Sequence, residues 1–160
     1  MNPAERTQAE YFLEVQLWAK ENTPESSTFL ITPYMGYGWR GFSERGSYGT
    51  FREWAHTSWL YTGDQEKFEE GQKRLGHWLG ESPESLIDGD WTAIGAGYRR
   101  LRTAAYVVSQ KQFYEKALEL GQLGLVDYAV GGRNEEAGGS LPDNERLVFQ
   151  SGEFSVYSVR

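Results

Sequence analysis

The chain has 160 residues, no cysteine, 15% aromatic residues and a net charge of −7. That length suits one domain with its own core, and the absence of cysteine excludes disulfide frameworks and thiolate metal sites. The acidic balance, with its 16 basic residues scattered, disfavours nucleic acid as a partner, because such binders draw affinity from neutralising phosphates.

No run approaches the roughly 18 to 20 apolar residues that span a bilayer, and the residues after Met1 lack a signal-peptide core. From Ala4 to Glu21, Tyr11, Phe12, Val15, Trp18 and Ala19 recur at helical spacing. Thr23-Pro24 ends that helix, because the residue before proline is pushed out of helical geometry. A start directly before an amphipathic helix also suits an excised domain.

Phe29 to Thr32 reads as a short buried strand. The segments from Thr50 to Tyr61 and from Gln65 to Leu79 read as helices, with Asp64 as the N-cap of the second. Trp91 to Leu123 is the longest helical stretch, bent near Gly95 and Gly97 and ended by Gly121 and Gly124. Val126 to Val130 is a second strand, and a polar, Gly-rich loop runs from Gly131 to Pro142. Leu147 to Gln150 and Glu153 to Val159 flank Ser151-Gly152 as a hairpin. The expected fold is a small α/β sandwich, Rossmann-like, of two or three layers. Its first strands run parallel through a helical crossover, and the C-terminal β-hairpin closes the sheet edge.

The best candidate site is the loop after the first strand, Tyr34 to Arg45, because ligands gather beyond the carboxyl ends of strands in such domains. Gly36-Tyr37-Gly38-Trp39-Arg40-Gly41 matches the dinucleotide pattern G-x-G-x-x-G. That pattern should open a helix, whereas here more loop is expected, with the glycines serving tight turns. Arg40 and Arg45, with Ser43 between them, suit a carboxylate or phosphate, and Tyr37 and Trp39 suit a sugar ring or a prenyl chain. Each arginine can instead pair with a local acid such as Glu44 or Glu53, or pack on Trp39. His56 and His77 lack the spacing of a metal site. No metal, cofactor or serine nucleophile is expected.

Trp18-Ala19-Lys20-Glu21-Asn22-Thr23-Pro24, the strand to Pro33, Ser43-Glu44-Arg45, Asp127-Tyr128-Ala129-Val130 and the terminal hairpin resemble one group of proteins. It is the soluble C-terminal region of bacterial polytopic membrane proteins, GT-C glycosyltransferase-like and related integral membrane families. The transmembrane helices and catalytic aspartate of a GT-C enzyme have no counterpart in these residues. The resemblance implies a non-catalytic accessory domain on the extracytoplasmic face. Its partners would be a glycan, a lipid-linked phosphate or the membrane-embedded region of its own protein, contacted through Arg40, Arg45, Tyr37, Trp39 and Ser43. Two other readings stand beside it: a free-standing, cytoplasmic nucleotide- or sugar-nucleotide-binding protein or enzyme using the same loop, and a structural protein-interaction module.

Overall fold

The computed structural model describes residues 7–32, 38–51, 53–54, 64–81, 94–138 and 141–160. Helix α1 (Gln8–Asn22) opens where the Glu10 carboxylate accepts from the Thr7 N–H at 2.6 Å, a capping box. It closes at Thr23, whose extended φ of −127° obeys the following proline. Strand β1 (Thr28–Ile31) follows, then a short helix α2 (Trp39–Ser43) and a two-residue strand β2 (Gly46–Ser47).

The second half begins with α3 (Gln65–Leu79), where Asp64 accepts from the Lys67 N–H at 3.2 Å. That backbone bond holds the Asp64 carboxyl below its ordinary range. Helices α4 (Ile94–Lys111) and α5 (Phe113–Gln122) lead to β3 (Tyr128–Gly131) and a short helix α6 (Arg133–Gly138). The hairpin is β4 (Leu147–Ser151) and β5 (Phe154–Ser158).

The five strands lie in the order β2-β1-β3-β5-β4. β1 runs parallel to both β2 and β3, while β5 is antiparallel to β3 and β4. The expected α/β class, parallel first strands and edge hairpin are therefore all present. Alternation along the strands sorts side chains to two cores. Phe29, Ile31, Val130, Phe154 and Val156 meet Val15 and Ala19 of α1 and Trp39 of α2. Leu30, Ala129 and Tyr157 face the opposite way, onto Leu75, Trp78, Leu101, Phe113, Tyr114 and Leu120 of α3, α4 and α5. The domain thus has three layers, helix, sheet and helix.

Asp127 fastens the layers at the start of β3. Its carboxylate accepts from the Thr28 N–H at 2.8 Å and pairs with Arg160 at 2.8 Å, while its own N–H donates to the Thr28 carbonyl. One side chain thereby sets the register between the parallel strands.

Four details depart from the sequence reading. The bend expected near Gly95 and Gly97 falls instead at Gln112, because both glycines continue the α4 backbone and Phe113 and Tyr114 must turn inward to the core. The loop expected from Gly131 to Pro142 contains α6, whose Glu135 carboxylate caps the Gly132 N–H at 2.9 Å. The hairpin turn is Gly152-Glu153, one residue later than expected, with Gly152 at φ +56°. The expected loop after β1 contains α2. Most of the helix expected from Thr50 to Tyr61 lies outside the described residues.

Candidate functional site

The chain leaving β1 turns through α2, and two features anchor that helix to α1. Gln16, buried on α1, donates its amide to the Gly38 and Trp39 carbonyls at 2.6 and 2.8 Å. Lys20 pairs with Glu44 at 2.5 Å. Trp39 is 4% exposed, its ring tilted against Phe29 at 4.8 Å. Ser43 is fully buried, donating to the Trp39 carbonyl and accepting from the Arg45 N–H at 3.3 Å.

Arg45 is 9% exposed and makes four bonds inside the scaffold. Nε donates to Thr23 Oγ1 at 3.1 Å, Nη1 to the Glu44 carbonyl at 3.1 Å, and Nη2 to the Lys20 and Thr23 carbonyls at 2.5 and 2.7 Å. The last carbonyls of a helix have no intrahelical donor and carry its negative dipole end, so a buried guanidinium there satisfies both needs. Of the five residues singled out in the sequence, then, Trp39, Ser43 and Arg45 stand inside the α1–α2 junction, and Tyr37 lies outside the described residues. Arg40 alone of the four described is exposed, and it makes no ion pair among the described residues.

Arg40 lines a cleft of about 160 Å³ together with Gly49, Glu53, Trp54, Lys67, Glu70, Gly71 and Arg74. The cleft lies beside the segments leaving the carboxyl ends of two parallel strands: α2 follows β1, and Gly49 to Trp54 follow β2. That position agrees with the general rule for open α/β sheets.

Its wall is fixed by the Tyr48 carbonyl, which accepts from Trp54 Nε1 at 3.0 Å and from Arg74 Nη1 at 2.7 Å. Arg74 also bonds Glu70 at 2.7 Å and lies over the Tyr48 ring, 5.2 Å from its centre. Glu53 accepts from the Thr50 N–H at 2.7 Å, and the Glu53 N–H returns a bond to Thr50 Oγ1 at 3.3 Å. Gly49 sits at φ +107°, and a Cβ there would stand 2.5 Å from Trp54 Nε1, so only glycine lets the chain pass over the indole.

Both carboxylates of the cleft therefore accept hydrogen bonds from protein groups, whereas Arg40 is left facing solvent. Lys67 stands 3.4 Å from Asp64 at the helix start. Behind the wall, the Tyr48 hydroxyl meets His77 Nδ1 at 3.3 Å, and burial pushes the phenol up to about 12. Such a phenol keeps its proton at neutral pH, so its hydroxyl can donate to His77 Nδ1. Among the described residues, no group of three or more His, Asp or Glu is placed to hold a metal ion.

Gly38 adopts φ +98° at the start of α2, and Gly41 lies within that helix. A five-residue helix has little dipole to offer a pyrophosphate, and about 160 Å³ is below the usual range for a cofactor-sized ligand. Of the three glycines of the dinucleotide-like pattern, Gly38 thus serves the turn into α2, Gly41 continues that helix and Gly36 lies outside the described residues. Sequence reasoning missed Lys67, Arg74 and Trp54 as neighbours of Arg40, because they come from separate segments whose convergence no spacing reports.

No protein-family model, curated protein or solved structure matches this chain.

Proposed function

We propose that this chain is a non-catalytic accessory domain on the extracytoplasmic face of a glycosyltransferase-like membrane protein, and that its cleft takes a phosphorylated glycan or a lipid-linked phosphate. One observation carries the binding half of this reading. The Arg40 guanidinium, exposed and without an ion pair among the described residues, shares a cleft with Lys67 and with an Arg74 already oriented by Tyr48 and Glu70. Arginine matches phosphate oxygens through paired donors, and a fixed second guanidinium lowers the ordering cost of the site.

The cleft volume suits a phosphate with part of one sugar rather than a dinucleotide. Binding is favoured over catalysis because Glu53 and Glu70, the two acidic groups of the cleft, already serve as acceptors for Thr50 and Arg74. The membrane half rests on the resemblance of Trp18 to Pro24, Ser43-Glu44-Arg45 and Asp127 to Val130 to soluble regions of polytopic membrane proteins. In this reading Trp39, Ser43 and Arg45 hold α2 so that Arg40 is presented; they do not touch the ligand.

Calorimetric titration with inorganic phosphate, a hexose 1-phosphate and an uncharged methyl hexoside tests the binding half. The hexose 1-phosphate is expected to bind, the methyl hexoside to fail, and Arg40→Ala to remove the heat of binding. For the membrane half, the coding sequence upstream of residue 1 is expected to encode several membrane-spanning segments. A free-standing gene beginning at Met1 with no membrane-protein neighbour would contradict it.

A further inference from the structure

The cleft lined by Arg40 carries both signs of charge, and its charged groups divide into those already paired and those left over. Arg74 and Glu70 compensate each other through the 2.7 Å bond from Nε to Oε1, and Lys67 lies 3.4 Å from Asp64. Arg40 and Glu53 remain. Each is exposed, and neither makes an ion pair among the described residues, with the other or with any further group.

Glu53 is oriented by backbone near it. Its Oε2 accepts from the Thr50 N–H at 2.7 Å, and its own N–H donates to Thr50 Oγ1 at 3.3 Å, the reciprocal pattern of a capping box. Both bonds are made to uncharged groups, so they hold the carboxylate without neutralising it. Its other oxygen, Oε1, accepts from no group among the described residues. Arg40 stands on a separate element, the short helix α2, which Gln16 ties to α1 through the Gly38 and Trp39 carbonyls. One uncompensated cation and one uncompensated anion therefore line the same cleft from separately anchored segments.

We infer that the ligand of this cleft is zwitterionic, a phosphate ester that also carries a free ammonium group, with Arg40 taking the phosphate and Glu53 the ammonium. The inference rests on the proposed binding of phosphate at Arg40 and adds a second charge to it. An uncharged sugar leaves the Glu53 carboxylate to repel the incoming phosphate. An ammonium on the same molecule replaces that repulsion with a charge-assisted hydrogen bond and fixes which end of the ligand meets which wall. Two sources share this chemistry: the phosphate of an amino sugar whose nitrogen is not acylated, and an ethanolamine phosphate headgroup.

Calorimetric titration of the full 160-residue chain at about pH 6.5, where an amine is protonated, tests it with four ligands. These are glucosamine 1-phosphate, glucose 1-phosphate, N-acetylglucosamine 1-phosphate and phosphoethanolamine. Glucosamine 1-phosphate is expected to bind about tenfold more tightly than glucose 1-phosphate or the acetylated sugar. Glu53→Gln is expected to abolish that preference while retaining glucose 1-phosphate, because glutamine still accepts from the Thr50 N–H and closes the capping box. Thermal unfolding shows whether the variant is folded, and if it is not, the wild-type comparison of glucosamine and glucose 1-phosphates decides. Equal binding of those two by wild type, or a preference that persists in folded Glu53→Gln, would overturn the inference and leave phosphate binding at Arg40 standing. Absence of binding by all four would overturn both. Tighter binding of phosphoethanolamine than of glucosamine 1-phosphate assigns the headgroup as the source, and the reverse order assigns the amino sugar.

Discussion

Arg45 donates to the Thr23 carbonyl at 2.7 Å, closing the end of α1 with a side chain that lies 22 residues further along the chain. The same guanidinium reaches Lys20 and Glu44. Helix α1, helix α2 and the entry to β2 are therefore held by a single planar group. Arg45→Ala is expected to lower the unfolding free energy by about 2 to 3 kcal/mol, since it leaves buried helix-end carbonyls without donors. Arg45→Lys is expected to recover less than half of this, because an ammonium cannot serve acceptors arranged around a planar fork. Urea denaturation measures both, and an Arg45→Ala midpoint equal to wild type would contradict this role.

Gly121 on α5 lies against the Val159 carbonyl, where an added Cβ would collide with backbone. Backbone cannot rotate aside as a side chain can. Gly121→Ala is expected to destabilise the protein by about 1 to 3 kcal/mol despite alanine's better helix propensity. Gly124→Ala serves as the comparison, because its surroundings are open while its φ of +72° is strained. Its smaller expected loss, about 1 kcal/mol, separates backbone strain from collision. Denaturation curves for the two variants give the comparison, and a Gly121→Ala protein as stable as wild type would show that α5 can move away from the C-terminal strand.

The fold class was legible in the sequence wherever a hydrophobic period ran long enough to set a face. Helix α1, helix α3 with its Asp64 cap, and the hairpin at Leu147 to Val159 all meet that condition. Helix α2, with five residues, and strand β2, with two, are shorter than any period can report. The break at Gln112 was hidden for another reason. Nothing local to Gln112 demands it, and it follows from the need to bury Phe113 and Tyr114 against Trp78 and Tyr157. At the site, the sequence drew attention to arginines and aromatics in one loop. Which of those stay exposed is set by distant groups: Thr23 and Lys20 draw Arg45 inward, while Arg40 stays exposed at the rim of the cleft.

Alkaline pH supplies a further prediction. Burial, opposed in part by the neighbouring Arg74 charge, raises the Tyr48 phenol from 10.0 to about 12. Between those two values the folded protein keeps a proton that the unfolded chain has lost, so stability falls as pH rises through this window. Below pH 10.0 the phenol is protonated in both states and contributes no slope. Burial raises Tyr114 and Tyr157 in the same direction, so Tyr48→Phe is expected to remove part of the alkaline loss and not all of it. Denaturation midpoints measured stepwise through this range test the assignment. Parallel loss in wild type and Tyr48→Phe would contradict it.

The direct test of the account is calorimetric titration of a hexose 1-phosphate into wild type and Arg40→Ala. Arg40 is exposed and has no ion pair among the described residues, so its removal is expected to change unfolding free energy by no more than about 0.5 kcal/mol. The account predicts saturable binding to wild type that weakens as salt is added, and a loss of tenfold or more in Arg40→Ala at unchanged stability. Absence of binding to wild type, or equal affinity in the two proteins, would contradict it.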